Sequence, residues 1–327
     1  MSRIAITGAA GFIGSNLADR LLTEGHAVIG IDNLAYGLRD QVPPKVHFVE
    51  TDIRNPRLAD TLRGVDTIFH LAAKNCIPDC EGDPAEAASV NVQGTVNVFE
   101  AARRAGVKKI VYAETSALYE GCPSLPSHET DVAPRSFYAI SKFAGAAFIK
   151  RYREHFGMRV TALRYFNVYG PRQDYRRTIP PVMSAFIIAL LNNKRPIIYG
   201  SGSKRRDFVF VDDVNEFHVA CLTDPRTDGH TFNIGSGRNY SVLELYEKIA
   251  LMLGKRIPPE HRGDAPGDEA QETLANIDAA RSLGWSPKVS LEDGLDRSIR
   301  FIKEKIVKEK IVPDPVSLYG SGEDPKI

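Results

Sequence analysis

No apolar run in the 327 residues approaches the ~20 that a membrane-spanning helix requires, so no span is expected. Charge of one sign is equally scarce. Against 42 Lys and Arg stand 41 Asp and Glu, a net charge of +1, which gives no bulk attraction to nucleic acid or to an anionic membrane. Cysteine is sparse: Cys76, Cys80, Cys122 and Cys221 cannot frame a disulfide-stapled fold in a chain this long. Cys76 and Cys80 find no second Cys or His pair at zinc-ligand spacing, so reduced thiols and no metal are expected. The opening MSRIAITGAAGFIGSNLADRL has glycines interrupting its apolar stretch, unlike a secretory leader. A cytoplasmic location is expected. Internal repeats and long low-complexity tracts are also missing.

What is present is a globular composition, 43% hydrophobic and 25% charged, in a chain long enough for two domains or for a core with a lobe built on it. Short β-branched runs alternate with helical patterns in the first half. RIAIT reads as a strand, residues 12–22 as a helix, and AVIGI as a second strand ending at Asp32. Further strands are expected at VHFVE, TIFHLA, KIVYA and VTALRY, with helices near 85–105 and 137–155. Strands alternating with helices predict a parallel sheet covered on both faces. After about residue 166 helical patterns at 178–192, 212–223, 241–253 and 291–309 are separated by Gly- and Pro-rich loops. They predict a second lobe over the carboxyl edge of the sheet, where open α/β folds bind ligands. The closing VPDPVSLYGSGEDPKI predicts an extended tail.

ITGAAGFIGSNL sets Gly8, Gly11 and Gly14 directly between a strand and a helix. Glycines there permit a tight turn and let backbone N–H groups approach a pyrophosphate at the helix N-terminus. A plain strand-to-helix turn has the same spacing, so the context decides. The second strand ends at Asp32, placed to accept hydrogen bonds from an adenosine ribose; an acid there favours NAD over NADP. As alternatives, Asp32 would cap a turn or a helix. Asp52 and Ile53, ending the third strand, are placed for the adenine.

YAISK, residues 138–142, puts Tyr138 and Lys142 one helical turn apart on one face. A lysine there can hold its ammonium near the phenol and favour the phenolate, giving a base usable near neutrality.

The motifs TGAAGFIG, DNL, TDIRN, HLAA, NVQGT, YAISK, RYFNVYGPR, RRDFVFVDDV and FNIGSG follow one another in this order. Together they resemble the extended short-chain dehydrogenase/reductases that act on nucleotide sugars, over roughly residues 3 to 305. Within that family the chain looks most like the UDP-hexose and UDP-N-acetylhexosamine 4-epimerases. The resemblance implies an α/β protein: a Rossmann-type doubly wound parallel sheet with a smaller, mixed α/β substrate-binding lobe. Residues 1–168 and about 208–235 would form the NAD-binding domain. Residues of about 169–207 and 236–310 would form the nucleotide-sugar lobe, and 311–327 the tail.

By the same resemblance, NAD would be held by Gly8, Gly11, Phe12, Ile13, Gly14, Asp32, Asn33, Asp52, Ile53, Leu71, Ala72 and Ala73. Lys142 would also bind the nicotinamide ribose. Tyr138 would be the general base, and Thr115 would share the proton of the substrate 4-hydroxyl. Asn167 and Arg206 would bind the diphosphate, with Arg262 a further candidate and Tyr199 also on the substrate. Locally, Arg206 beside Asp207 also reads as an ion pair, and Asn167 as a turn cap. Thr273 falls where the bulk of a residue governs room for an N-acetyl group, and a small one admits N-acetylated sugars as well as plain hexoses.

Related 4,6-dehydratases carry an acid pair just after the threonine, and related decarboxylases a glutamate at the second position. Here Ser116 and Ala117 stand there, which favours 4-epimerisation through a transient 4-keto sugar over dehydration, decarboxylation or reduction. A non-catalytic NAD-binding protein would have no need of Tyr138, Lys142 and Thr115 together. Three residues depart from the family's pattern. Glu114 stands where Ser is usual and Glu120 where Gly is usual. A carboxylate at either place could contact the sugar, raise the tyrosine pKa, or end in solvent or a salt bridge. Lys74 is the third, and could offset Glu114. The helix after Tyr138 carries Ala144, Gly145, Ala146 and Ala147 beside Phe143 and Phe148; close packing there implies a homodimer, or packing within one chain.

Overall fold

The β-branched runs of the first half become neighbouring strands of a single sheet. The computed structural model describes residues 1–173, 175, 180–263 and 270–309; the expected tail at 311–327 lies outside the described residues. Strands β1 (Arg3–Thr7), β2 (Ala27–Asp32), β3 (His47–Glu50), β4 (Thr67–His70), β5 (Lys109–Thr115), β6 (Arg159–Tyr165) and β10 (Thr231–Ile234) line up in the order β10-β6-β5-β4-β1-β2-β3. Every neighbouring pair is parallel. Such a sheet must bury both faces. Ile4, Ile6, Phe69, Val111 and Leu163 face α1 (Phe12–Thr23) and α8 (Val211–Thr223). Ala5, Ile68, Ile110, Tyr112 and Val160 face α5 (Thr95–Ala105) and α6 (Phe137–Phe156).

The strand order reverses beside β1: the chain passes from β1 out to β2 and β3, then returns to lay β4 on the other side. At such a switch point the loops leaving two adjacent strands part, opening a crevice at their carboxyl ends. The glycine loop leaves β1 there, and Leu71–Ala73 leave β4.

The helix expected near 85–105 is built in three pieces: α4 (Pro84–Ala88), a π-helical turn over Ser89–Gly94, and α5. In the turn, Asn91 reaches out of the helix, donating to the Lys74 carbonyl at 2.9 Å and accepting from the Lys74 N–H at 2.9 Å. It thereby fixes the chain just after β4. Between β4 and α4 lies α3 (Ile77–Gly82), and α2 (Leu58–Thr61) lies between β3 and β4.

A second core gathers Tyr169, Phe186, Ile187, Phe208, Phe210, Leu245, Leu291 and Leu295. Its elements are β7 (Asn167–Tyr169), α7 (Val182–Leu191), β8 (Ile197–Tyr199), β9 (Arg205–Phe210), β11 (Asn239–Ser241), α9 (Val242–Met252), β12 (Glu260–Arg262) and α11 (Leu291–Glu309), with α10 (Asp278–Ser282) packed near β10. β9 pairs parallel with β7 and antiparallel with β11, a small mixed sheet, and β8 pairs with β12. Among the described residues no helix is long and apolar enough to cross a membrane.

Candidate active site

The crevice at the switch point is a cavity of about 560 Å³. Its floor is the glycine loop. Gly8 has φ +74°, and a Cβ built on it would stand 2.9 Å from the Ala72 nitrogen, so only glycine closes the turn without strain. A Cβ on Gly14 would fall 2.1 Å from the Gly8 carbonyl oxygen. α1 therefore packs against the loop closer than any side chain allows. Gly11 is its N-cap, with no side-chain cap and no acid in the first turn. The first N–H groups of α1 are left for an anion, as a dinucleotide pyrophosphate requires.

Asp32 is buried at the end of β2, with Oδ2 accepting from the Ala10 N–H at 3.0 Å and Oδ1 from the Leu34 N–H at 2.8 Å. Burial raises its pKa and these hydrogen bonds counter it. The cap alternative is thus realised, while the carboxylate also lines the cavity. Asn33 Nδ2 donates to Asp52 Oδ2 at 2.9 Å. Asp52 is held down at about 2, first by its hydrogen bond with Arg54. Phe12, Ile13, Ile53, Leu71, Ala72 and Ala73 line the same cavity. An uncapped helix N-terminus, a cradle that a Cβ would fill and a carboxylate at the second strand's end fit NAD.

Tyr138 and Lys142 come into the cavity from the first turns of α6. That helix starts where it does because Ser136 caps it, its Oγ accepting from the Ala139 N–H at 3.1 Å. Glu120 braces the cap, accepting from Ser136 N–H at 2.8 Å and Ser136 Oγ at 2.9 Å. Glu120 is thus a structural brace. Burial pushes the Tyr138 phenol up to about 12, and the neighbouring Thr115 hydroxyl partly counters it. The charge of Glu120 also raises the phenol, one of the fates expected of it. Burial pushes Lys142 down to about 7. Its Nζ lies over the Tyr112 ring, 4.2 Å from the centroid. Burial, rather than Lys142, is therefore the largest influence on the phenol.

Glu114 is also removed from solvent, and Arg164 donates to it. Arg164 thus takes the part the sequence offered to Lys74. Lys74 is buried along the cavity wall, its Nζ 4.0 Å from Asp83.

A second cavity of about 180 Å³ adjoins Ser116 and Ala117 and is lined by Asn167, Arg206, Thr273 and Glu272. Thr115, between Glu114 on the first cavity and Ser116 on the second, stands where the two approach. Asn167 lies in β7, not at a turn, and donates to the Asp207 carbonyl at 3.2 Å. Thr273 Oγ accepts from the Asp207 N–H at 3.2 Å. The Asp207 carboxylate is turned to the N–H groups of Ser236, Gly237 and Ala275, and Arg206 Nη1 donates to the Arg205 carbonyl. Arg262 and Tyr199 are brought together elsewhere, opposite each other across β12 and β8, and line neither cavity. Arg262 pairs with Glu260 at 2.8 Å.

Tyr112, Asn91 and Arg164 escaped sequence reasoning as site residues. The first was legible in principle: strand alternation puts Tyr112 on the same face as Glu114. No three or more metal-ligating side chains cluster among the described residues.

Residues 4–235 match the model of the NAD dependent epimerase/dehydratase family. The chain is 39% identical over 312 residues to the UDP-glucose 4-epimerase of Mycolicibacterium smegmatis, covering 93% of this chain and 99% of the relative. Its fold matches the crystal structure of a UDP-glucose 4-epimerase with UDP-glucose from Thermotoga maritima, at TM-score 0.89 and 32% identity, over 93% of this chain and 99% of the other. It also matches a UDP-glucuronic acid 4-epimerase from Bacillus cereus, in complex with UDP-glucuronic acid and NAD, at TM-score 0.85 and 31% identity, over 92% and 99% of the chains.

Proposed function

We infer that this chain, which belongs to the NAD dependent epimerase/dehydratase family, is an NAD-dependent UDP-sugar 4-epimerase. The observation that carries this reading is one cavity that joins the glycine loop and Asp32 to Tyr138 and Lys142, with Thr115 beside the phenol. When bound, NAD supplies a reversible hydride acceptor beside the sugar C4. The protein's own residues do the rest. Tyr138 removes the proton of the 4-hydroxyl and returns it, and the neighbouring Thr115 hydroxyl orients that hydroxyl and shares its proton. Lys142 stabilises the phenolate. The 4-keto sugar turns over between the two transfers, so the opposite face is reduced and the reaction is redox-neutral.

Asn167, Arg206 and Thr273 are our candidates for the diphosphate and sugar, because they line the cavity beyond Ser116. An arginine there meets phosphate with a planar fork and supplies binding energy remote from the reacting carbon. Arg262 and Tyr199, paired on the outer ribbon, are kept as substrate candidates, Arg262 as a further ligand of the diphosphate. Lacking an acid at Ser116 or Ala117, the site has no group there for eliminating water or assisting decarboxylation. The sugar we propose is a plain hexose or its N-acetyl counterpart, with Thr273 leaving room for the latter.

We further propose a homodimer through α6 and a cytoplasmic setting. Phe137, Ile140, Phe143 and Phe148 are each roughly half exposed along that helix, an apolar face that a second copy would cover.

The direct test incubates purified protein with UDP-glucose, and separately UDP-N-acetylglucosamine, without added cofactor. Formation of the 4-epimer, with NAD recovered from the denatured protein, is expected. A product lighter by water or carbon dioxide would overturn the epimerase reading, and no turnover of either sugar would overturn the substrate.

A further inference from the structure

Glu114 and Arg164 stand directly opposite each other in the β5–β6 register. Arg164 Nε donates to Glu114 Oε2 at 2.6 Å, with the side chains only 8% and 4% exposed. A buried pair of this kind rarely adds stability over apolar packing of the same volume, so a role beyond stability is worth seeking. Arg164 is held from its other side as well, Nη1 donating to Tyr119 Oη at 2.9 Å and to the Glu129 carbonyl at 2.5 Å. Strand alternation places Tyr112 two residues before Glu114 on the same face, about 7 Å away. Lys142 descends onto that face, its Nζ 4.2 Å from the Tyr112 ring centroid and its side chain buried. The carboxylate paired with Arg164 thus lines the same cavity as Lys142, beside an aromatic face that also favours a cation.

We propose that Glu114 is a positioning residue shared by Lys142 and Arg164: it holds the Lys142 ammonium charged on the Tyr112 face, and Arg164 sets how much of its charge Lys142 receives. The inference rests on the assignment of Tyr138 and Lys142 as the acting pair. Burial pushes Lys142 down to about 7, and Glu114 opposes that fall. The other titratable groups around Lys142 do not take this part. From β4, His70 is buried and held neutral, pushed down to about 3. From β5 come Tyr112 and Glu114; on α6 itself is Tyr138; from β6, Arg164 lies behind Glu114. Of the groups that β4, β5 and β6 place here, Glu114 is the only carboxylate.

Two substitutions give opposite signs. Glu114→Gln keeps a hydrogen-bond acceptor for Arg164 and removes the charge. Arg164→Gln removes the competing cation and leaves Glu114 to Lys142. The readout is an NMR pH titration of protein labelled with [ε-13C]lysine, without sugar, the Lys142 resonance being identified by its loss in Lys142→Met. The Lys142 midpoint is expected to move to lower pH in Glu114→Gln and to higher pH in Arg164→Gln. Epimerisation is expected to follow: in Glu114→Gln the alkaline limb of kcat moves down, with loss of about tenfold near pH 8.5 and under about threefold near pH 6 for a one-unit shift. Movement of both midpoints in one direction, or of neither, overturns the proposal; should one variant fail to fold, the sign in the other decides. If the midpoints part as expected but no UDP-sugar turns over in the unaltered protein, the counter-ion stands and the epimerase reading fails.

Discussion

The Glu120 carboxylate accepts hydrogen bonds from both the N–H and the Oγ of Ser136, tying the loop after β5 to the cap of α6. Because Tyr138 is two residues further on, the brace fixes the height at which the phenol meets Thr115. Glu120→Ala is expected to lower kcat more than it raises the KM for sugar. Unfolding in urea should show a loss of about 1 kcal/mol, the usual net contribution of a hydrogen bond. A change in KM alone would mean the brace serves the sugar cavity instead.

Tyr138→Phe removes the phenolic hydroxyl and leaves the packing in place. Epimerisation should fall by about 10²–10⁴-fold, the range for a positioned acid–base group. Circular dichroism and the NAD content of the purified protein should not change. Retention of a tenth of the activity would move the proton transfer to another residue.

Gly14→Ala places a methyl 2.1 Å from the Gly8 carbonyl. Neither partner is the flexible end of a side chain, so α1 must shift. Purified protein is expected to carry little NAD and to melt at lower temperature, as measured by absorbance after denaturation and by calorimetry. Full NAD occupancy would separate the loop from the cofactor.

Lys142 and Tyr138 predict opposite slopes in stability against pH for protein stripped of cofactor. The folded pKa of Lys142 is depressed to about 7, so between that value and its ordinary ~10.4 the unfolded chain binds more protons, and stability rises with pH. The folded pKa of Tyr138 is raised to about 12, so its contribution is complete below the ordinary ~10 and is lost as pH rises through 12. Urea unfolding should find Lys142→Met more stable than the unaltered protein near neutrality, the gap closing toward pH ~10. A constant gap would place the lysine in water.

The exposed face of α6 is testable by assembly. Phe148, at 48% exposure, contributes to the proposed dimer contact, so Phe148→Asp should convert a dimer to a monomer in sedimentation at micromolar concentration while the monomer stays folded. A monomer before substitution would remove the contact.

Much of the sheet was legible because each strand's apolar run is bounded by glycine, proline or polar residues, and the glycine loop because its demands are local. Tyr138 and Lys142 are joined by helical spacing, which sequence reveals directly. Glu114 was visible as a departure, but its partner was not: Arg164 lies 50 residues on, and only the β5–β6 register brings them together. Glu120 finds Ser136 through a loop whose path no periodicity encodes. The π-helical turn over Ser89–Gly94 was hidden for a similar reason. Its Asn91 serves a carbonyl and an N–H of Lys74, and a helical pattern cannot announce such an insertion.

Gly145 sits where a Cβ would be 2.9 Å from the Tyr112 hydroxyl and 3.3 Å from the Asn91 carbonyl. Of the run of small residues, this one is committed to the interior, while Ala147 and Phe148 face outward. A single methyl at position 145 would lift the rod of α6 from the sheet, drawing the Lys142 ammonium off the Tyr112 ring and tilting the outer face by the same motion. Chemistry and assembly would drift together in any lineage that enlarged this residue, so the inner glycine limits how far the outer surface is free to vary.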